Sequence, residues 1–266
     1  MKNRKWGGTM ALSKEQQQRY ARHFTLDEVG EEGQEKLLGA KVCIIGAGGL
    51  GSPAAFYLAA AGIGTIGIAD ADAVELSNLQ RQILHGTADI GRKKALSAKG
   101  SLERLNPDTV VHPYPVLVNE DNIADLIDGY DMVLDAADNF ETKFLINDAC
   151  VRAGKPFVHA GVIRFQGQLM TYVPGQGPCY RCIFKEPPPQ GAVPSAKEAG
   201  VLGAACGVIG SLQAMEVVKY VLGAGELLTG RLLVYDALSA QLRTIKLPER
   251  AHDCRACGCR EPDVIV

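Results

Sequence analysis

A glycine-rich turn between an apolar strand and an alanine-rich helix is the feature that most constrains this fold. From Lys41 to Gly62 the sequence reads K-V-C-I-I, then G-A-G-G-L-G, then S-P-A-A-F-Y-L-A-A-A-G. A sharp passage from strand to helix needs φ > 0 and a bare backbone, and glycine supplies both. Gly46, Gly48 and Gly51 stand at the fingerprint positions. The pattern predicts a β-α-β unit whose helix N-terminus faces an anion.

A second predicted strand, T-I-G-I-A, ends at Asp70. Asp70 lies about 20 residues beyond the glycines, where a carboxylate can accept hydrogen bonds from ribose hydroxyls. The glycine pattern alone is weak evidence. Together with the strand, the helix and the acid, it favours a nucleotide site over a bare structural turn. The pattern does not identify the nucleotide.

Composition limits the class of protein and of partner. The 266 residues are 47% hydrophobic, enough for a substantial core. Lys and Arg total 28 against 30 for Asp and Glu, so no basic field marks nucleic acid as the main partner. No apolar stretch reaches the roughly 18 residues of a membrane span, and no signal core is present, so we expect a cytoplasmic protein without a membrane. Residues 1–12 are interpreted as a disordered leader, with Met10 an alternative start to Met1.

Strand and helix patterns alternate after the glycine unit. A capping box at Ser13 and Gln16 also predicts a helix that runs to about Glu28 outside the first strand. Such alternation favours an α/β fold with a doubly wound, mainly parallel Rossmann-like sheet. The predicted elements are, in chain order, a helix over 91–105, a strand over 110–114, a helix over 119–128, a strand over 131–135, a helix over 139–153 and a strand over 156–160.

The pattern changes after Gly161, where strands follow one another without crossover helices. This favours an antiparallel extension of the same sheet. Residues 185–200, the crossing loop, cannot form regular structure over their proline-rich part. We therefore expect one domain over residues 13–266, with a nucleotide-binding half over 13–161 and the extension over 162–266. The predicted elements of the second half are strands over 168–172, 232–236 and 242–247 and one long helix over 207–222.

Eight cysteines in a chain without a secretion signal indicate metal or thiol chemistry. Cys179 and Cys182 form one C-x-x-C pair, and Cys254 and Cys257 form another. The pairs are the ligand set of a closed tetrahedral zinc site that would tie the C-terminal tail to the middle of the chain. Two unrelated thiol pairs are the alternative, and redox chemistry is disfavoured because neither pair is expected to open a helix after a strand. Cys259 competes for the fourth position, and spacing favours Cys257.

Three cationic side chains lie in segments around the glycine turn, namely Arg22, Arg81 and Lys94. A triphosphate carries about four negative charges, and cleavage at its α-phosphate adds charge to the departing pyrophosphate, so fixed cations lower that barrier. Taken singly, each could instead be a solvated surface cation. His85 is expected to make a local hydrogen bond and not to transfer a proton.

Asp138 follows the predicted strand D-M-V-L-D at its carboxyl end, the edge where open α/β sheets bind ligands. Its carboxylate could hold Mg²⁺ against phosphates. The alternative is that Asp138 or Asn139 only caps the following helix. Asp135, inside the strand end, is the weaker metal candidate.

Motifs spread along the whole chain carry a resemblance to a known family. They are G-A-G-G-L-G-S-P, D-A-D-A-V-E-L-S-N-L-Q-R-Q, the lysine after G-R-K, L-D-A-A-D-N, P-C-Y-R-C, G-V-I-G-S-L-Q-A-M-E and the final C-x-x-C. From about Arg19 to Cys257 the chain resembles the MoeB/ThiF/HesA family, bacterial relatives of ubiquitin-activating enzymes, and its MoeB-type members most of all. The resemblance implies a homodimer that uses ATP to adenylate the C-terminal Gly-Gly carboxylate of a small ubiquitin-like sulfur carrier such as MoaD or ThiS, for molybdopterin, thiazole or related biosynthesis.

The resemblance also implies roles for single residues. Arg81 and Lys94 would contact phosphates, Asp138 would bind Mg²⁺, and Arg22 would reach into the partner protomer's site; these are the expected catalytic residues. Asp70 would hold the ribose. The wider nucleotide-binding set, in which Asn78 also contacts phosphates, is Gly46, Gly48, Gly49, Gly51, Asp70, Asp72, Asn78, Arg81, Gln82, Lys94 and Asp138.

One departure from the family concerns sulfur. Relatives with a sulfur-handling or thioester cysteine place it in a T-C-x-E-A-G-like stretch, where this chain reads S-A-K-E-A-G over residues 195–200. Cys206 is a weak substitute, since an accessible thiol of low pKa is required. No rhodanese-like domain is expected to follow. We therefore expect a separate donor, a cysteine desulfurase or a rhodanese-like protein, to deliver sulfur.

Two other classes of function remain open on the sequence alone. A nicotinamide-dependent oxidoreductase could use the same glycine turn, although the cations and the predicted zinc site argue against it. A non-catalytic module could bind ubiquitin-like tails without turning over ATP.

Overall fold

The computed structural model describes residues 12–189, 191–194 and 196–258. The predicted leader, the alternative start at Met10, Ser195 and Cys259 lie outside the described residues. The strands are β1 Lys41–Ile45, β2 Thr65–Ala69, β3 Val110–Tyr114, β4 Met132–Asp135, β5 Phe157–Ile163, β6 Gln166–Tyr172, β7 Arg231–Asp236 and β8 Gln241–Lys246. The α-helices are α1 Lys14–Arg19, α2 Gly30–Gly39, α3 Gly51–Ala61, α4 Lys94–Leu105, α5 Ile123–Ile127, α6 Phe140–Arg152, α7 Tyr180–Ile183, α8 Ala196–Ala199 and α9 Gly203–Leu222.

All of these strands belong to one mixed sheet in the order β3-β2-β1-β4-β5-β6-β7-β8. The first five in this order are parallel, and β6, β7 and β8 are added antiparallel. The predicted fold class is therefore confirmed. The chain order reverses between β1 and β4, and ligands of open α/β sheets bind at such a switch point, outside the carboxyl ends of the strands.

The two faces of the sheet are covered differently. One face packs against α3, α4 and α9, and the other against α5, α6 and α7. Helix α9 approaches the first turn of α3 so closely that a Cβ on Gly210 would lie 2.5 Å from the carbonyl oxygen of Leu50. This contact joins the C-terminal half to the helix that starts at the glycine turn.

The N-terminal segment differs from its prediction. The capping box forms at Ser13, but α1 ends at Arg19 instead of near Glu28. Tyr20 is 1% exposed and accepts a hydrogen bond from Asn106 at 2.8 Å, so the chain turns inward there. Helix α2 was not predicted. Its buried residues include a glycine and a glutamine, so the segment shows little apolar periodicity.

Several other boundaries also differ. Helix α4 begins at Lys94 and not near residue 91, and α9 begins at Gly203, before its predicted start. Helix α5 is confined to Ile123–Ile127, because the side chains of Asn119 and Asn122 bond to the backbone of the preceding turn. Strands β5 and β6 are longer than predicted and form a tight hairpin.

Helix α9 corrects the expectation about membrane spans. Among the described residues it is the one helix that is long and apolar enough to cross a membrane, with a mean hydropathy of 1.3 over its best 18-residue window. Half of that window is buried inside the protein. Gln213 and Glu216 are part of its buried face. The helix therefore has the features of a core helix.

Candidate functional site

The glycine turn lies between β1 and α3 and contacts the end of β4. Gly46 has φ +105°, and a Cβ there would lie 2.5 Å from the carbonyl oxygen of Ala136. A Cβ on Gly51 would collide with the carbonyl oxygen of Gly46. Gly48 differs, since a Cβ there would meet nothing closer than Gln82 Nε2 at 3.7 Å. Packing therefore requires two of the glycines, while Gly48 leaves its backbone accessible to a ligand.

Asp70 connects the end of β2 to this turn. Its Oδ2 accepts the Ala47 N–H at 2.9 Å, and its Oδ1 accepts the Asp72 N–H at 2.9 Å. Burial raises the pKa of Asp70, and although the Lys94 charge and the two N–H groups oppose this, the pKa stays above its usual value. Each carboxylate oxygen has two lone pairs, so Asp70 can still accept hydrogen bonds from a ligand's hydroxyl groups.

Lys94 supplies a cation beside the same turn. It is the first residue of α4 and only 6% exposed, and its Nζ pairs with Asp72 Oδ2 at 2.8 Å. The ammonium group has three N–H donors, and this ion pair engages one of them. Because Asp72 is bonded in turn to Asp70, the cation is fixed relative to the glycine turn.

The loop after β2 carries three further predicted residues, and it brings two of them, Arg81 and Gln82, to the turn. The Arg81 side chain packs on it, since a Cβ on Gly49 would lie 3.4 Å from Arg81 Cγ. Asn78 is used locally, because its Oδ1 accepts the Glu75 N–H at 3.1 Å. Gln82 is 4% exposed, and its buried Oε1 has no hydrogen-bond partner within the part of the chain that the structure describes. An unpaired buried acceptor is costly, and a ligand donor at this place would satisfy it.

His85 has the local role that the sequence predicted. Burial lowers its pKa, although the hydrogen bond to Ala47 opposes this shift. Its Nε2 lies 3.0 Å from the carbonyl oxygen of Ala47, so this nitrogen donates, and its Nδ1 accepts from Ser97 Oγ at 2.9 Å. Both ring nitrogens are occupied, and the imidazole supports the turn from behind.

Asp138 lies beyond the end of β4, two residues after Ala136. The neighbouring Asn139 caps α6, because its Oδ1 accepts the Thr142 N–H at 2.8 Å. Asp138 is exposed, and among the described residues its carboxylate accepts only a long 3.5 Å hydrogen bond, from Asn139 Nδ2. The capping alternative therefore applies to Asn139 and leaves the Asp138 carboxylate accessible.

Asp135 is not an accessible metal ligand. It is 1% exposed and bonds to Lys143 and His159, two residues that the sequence analysis did not identify. The available signal was that His159 lies within the next parallel strand, where the register pairs it with Asp135, the last residue of β4.

Arg22 does not reach this site within its own chain. Tyr20, two residues earlier, packs on Gly62 at the C-terminal end of α3, and His23 bonds to Gln34 on α2. The glycine turn lies at the other end of α3, which at 1.5 Å per residue is about 16 Å long. The structure thus separates Arg22 from the residues grouped around the turn.

The four cysteines of the two C-x-x-C pairs form one cluster. All four Sγ atoms lie within 4.8 Å of one another. The separations are 3.9 Å for Cys179 and Cys182, 3.6 Å for Cys179 and Cys254, and 3.3 Å for Cys182 and Cys257. A tetrahedral zinc with Zn–S bonds of about 2.3 Å places its sulfurs about 3.8 Å apart, so the donors fit such a metal.

The reason given against redox chemistry at the first pair is wrong, because Cys179 is the N-cap of α7. That helix has only four residues, and the second pair packs directly against it. The metal interpretation therefore depends on the clustering of four thiols and not on the absence of a helix.

Cys206 lies close to the glycine turn but is enclosed. A Cβ on Gly49 would lie 3.0 Å from its Sγ, and the residue is 3% exposed. Burial raises the pKa of this thiol although Arg81 opposes the shift. A buried thiol of raised pKa lacks the properties of a sulfur-transferring nucleophile.

Comparisons with known proteins show the family to which the chain is related. The ThiF family profile matches residues 20–256. The chain is 50% identical over 250 residues to adenylyltransferase and sulfurtransferase MOCS3 of Bos taurus, and the match covers 94% of this chain and 55% of that one. It is 48% identical over 254 residues to the sulfur carrier protein adenylyltransferase of Thermus thermophilus, with 94% and 93% covered. The chain thus spans about half the length of MOCS3.

Solved structures support the same relationship. Escherichia coli MccB with ATP superposes with a TM-score of 0.78 at 26% identity, and the match covers 90% of this chain and 74% of that one. The microcin C7 enzyme MccB in complex with N-formylated MccA gives a TM-score of 0.80 at 26% identity, with 90% and 75% covered. With the family profile extending over residues 20–256, the chain belongs to the ThiF family.

Proposed function

We propose that this chain uses ATP to adenylate the C-terminal Gly-Gly carboxylate of a small ubiquitin-like sulfur-carrier protein. The observation that carries the proposal is the grouping of Arg81, Lys94 and Asp70 around the accessible backbone of Gly48. A relative named sulfur carrier protein adenylyltransferase, of nearly the same length, supports the substrate class. The pathway could be molybdopterin, thiazole or other sulfur-transfer biosynthesis.

ATP would bind at the carboxyl ends of β1, β2 and β4. The backbone from Gly46 to Gly51 would face the phosphates, as helix N-termini do in this fold class. Asp70 would accept hydrogen bonds from the ribose, and Gln82 would offer its unpaired Oε1 to a ligand donor. Arg81 and Lys94 would contact phosphate oxygens. Asp72 and Gly49 would shape this surface, since Asp72 pairs with Lys94 and Gly49 contacts the Arg81 side chain. Asn78 would orient the loop, since its carbonyl oxygen accepts the N–H groups of Arg81 and Gln82.

The reaction is an in-line displacement at the α-phosphorus. A carboxylate oxygen of the carrier forms a bond to the α-phosphorus, and the bond from that phosphorus to the bridging oxygen of pyrophosphate breaks. Because the carboxylate is already ionised at neutral pH, no general base is needed. Catalysis would come from alignment and from cations beside the departing pyrophosphate. The two products are a carrier acyl-adenylate and pyrophosphate.

Asp138 is suited to hold Mg²⁺. Its carboxylate is exposed at the ligand-binding edge, and the capping role belongs to Asn139. Mg²⁺ binds through one or two carboxylates together with substrate phosphates, and when bound it neutralises phosphate charge. The carrier tail would enter under the crossing loop, and a separate sulfur donor would consume the acyl-adenylate.

Carrier-dependent exchange of labelled pyrophosphate into ATP tests this function. Arg81→Ala and Asp138→Ala should each reduce the exchange rate at least about 100-fold, because each removes charge stabilisation of the transition state. Arg243→Ala and Asp128→Ala, which alter exposed residues away from the glycine turn, serve as matched controls and should retain it. Absence of exchange with every Gly-Gly carrier would refute the proposal, and carrier binding without AMP formation would favour a non-catalytic module.

We also propose that the enzyme is a homodimer in which Arg22 acts on the partner protomer's site. The proposal is supported by the position of Arg22, which is exposed and lies at the far end of α3 from its own glycine turn.

Complementation distinguishes action between protomers from action within one. In a mixed dimer of Arg22→Ala and Arg81→Ala chains, one of the two sites would combine an intact Arg81 with an intact Arg22. Mixing two inactive variants should therefore restore up to about a quarter of the wild-type exchange rate, because half the dimers are mixed and each has one complete site. Activity that stays at the level of the separate variants contradicts the proposal.

We propose that the thiol cluster holds a structural Zn²⁺, and that the protein works in the reducing cytoplasm, where such thiols stay free. Cys254→Ser should lower the zinc content from one ion per chain and reduce the midpoint temperature of unfolding, because a three-thiolate site binds zinc more weakly. Cys150→Ala, at a buried cysteine outside the cluster, should retain the metal. Zinc content that is unchanged in Cys254→Ser, measured by atomic emission, contradicts the assignment.

A further inference from the structure

The loop that carries Asp138 is held by a buried polar network at the end of β4. Asp135 Oδ2 lies 2.6 Å from His159 Nδ1, and Asp135 Oδ1 lies 3.3 Å from Lys143 Nζ. Lys143 also donates to the carbonyl oxygen of Ala160 at 2.7 Å. Asp135 and His159 are 1% exposed and Lys143 is 7% exposed, so these bonds form away from water.

The charges in the network follow from its surroundings. Burial raises the pKa of Asp135, but the Lys143 charge and the His159 hydrogen bond outweigh it, so the pKa is lowered. Burial lowers the pKa of His159. The carboxylate is therefore ionised and the imidazole neutral, and His159 Nδ1 must donate its proton to the hydrogen bond. His159 Nε2 is buried and has no hydrogen-bond partner among residues 12–189, 191–194 and 196–258.

This network fixes the direction in which the chain leaves β4. Asp135 Oδ1 accepts the N–H of Ala137 at 3.1 Å, and the Asp135 carbonyl accepts from Gln213 Nε2 at 2.9 Å. Between these bonds the carbonyl of Ala136 packs on Gly46 of the glycine turn. Asp138 follows directly after this bonded segment.

His159 is supported from behind by the thiol-cluster segment. The ring centroid of Tyr180, which follows Cys179, lies 4.4 Å from that of His159. The Tyr180 N–H donates to Asn147 Oδ1 at 2.9 Å, and Phe144 packs edge-on against the Tyr180 ring at 4.9 Å. The imidazole therefore has one favourable position, with its Nδ1 directed at Asp135.

We propose that His159 is a positioning residue that acts through Asp135 to hold Asp138 where its carboxylate can bind the Mg²⁺ of Mg·ATP. The inference rests on the proposed function, because it assigns Asp138 to the nucleotide's metal. Residues that orient a metal ligand by hydrogen bonding typically change metal affinity or activity about 10-fold to 100-fold when they are replaced. His159 does not touch the nucleotide, so its effect should be confined to binding that depends on Mg²⁺.

The test measures ATP binding by calorimetry, with Mg²⁺ and with EDTA, for three substitutions of His159. His159→Asn places an amide N–H where the Nδ1 donor was, and His159→Gln places it one bond farther, nearer the Nε2 position. His159→Leu removes the donor. We expect His159→Asn to retain the gain in ATP affinity that Mg²⁺ provides. The Gln and Leu variants should lose about tenfold or more of this gain, while their ATP affinity in EDTA should change little.

Thr171→Val is the matched control, because it breaks a buried 2.5 Å hydrogen bond to Glu216 that does not involve the Asp135 network. It should leave the Mg²⁺-dependent gain unchanged. If the Leu variant fails to fold, the comparison of Asn with Gln carries the same test. This inference alone is overturned if His159→Gln shows the same Mg²⁺-dependent gain in ATP affinity as the wild type. It is also overturned if the substitutions reduce ATP affinity equally with Mg²⁺ and with EDTA. A wild-type protein that binds no ATP overturns the proposed function as well.

Discussion

The close approach of the Ala136 carbonyl to Gly46 is the contact on which the rest of the site depends. It joins the ends of β1 and β4, the two neighbouring parallel strands between which the chain order of the sheet reverses. A side chain at residue 46 would push these strand ends apart, and the positive φ there is also one that glycine adopts freely. Because this contact forms, the glycine turn, Asp70 and Asp138 all open onto the same edge of the sheet.

Features that depend on local physics could be predicted from the sequence. The glycine turn, its flanking strands and the acid at residue 70 are specified by steric rules that act within about 30 residues. The four thiols could be predicted because the ligand spacing of zinc sites is restricted. The antiparallel extension followed from the absence of a crossover helix before β8.

Features that depend on long-range packing could not be predicted. One example is the buried network of Asp135, Lys143 and His159. It depends on the register of β4 against β5, which cannot be read from a single sequence. Helix α2 was missed because tertiary contacts and not apolar periodicity hold it. The distance of Arg22 from its own site follows from the inward turn at Tyr20, a residue whose partner Asn106 lies 86 positions away.

The thiol cluster and the loop that carries Asp138 are joined by packing against α6. Tyr180 and Arg181 follow the first thiol of the cluster, and both contact α6, the helix that begins immediately after Asp138 and Asn139. A metal that fixes α7 would therefore also support α6 and the loop before it.

In the proposed reaction a carrier's terminal carboxylate attacks the α-phosphorus of ATP at this edge. The attack can be followed with a carrier labelled with ¹⁸O in that carboxylate, with hydroxylamine added to release the activated acyl group. Attack at the α-phosphorus gives AMP as the nucleotide product, with one labelled oxygen bonded to its phosphorus. Formation of ADP with the label in inorganic phosphate would place the attack at the γ-phosphorus and refute adenylation.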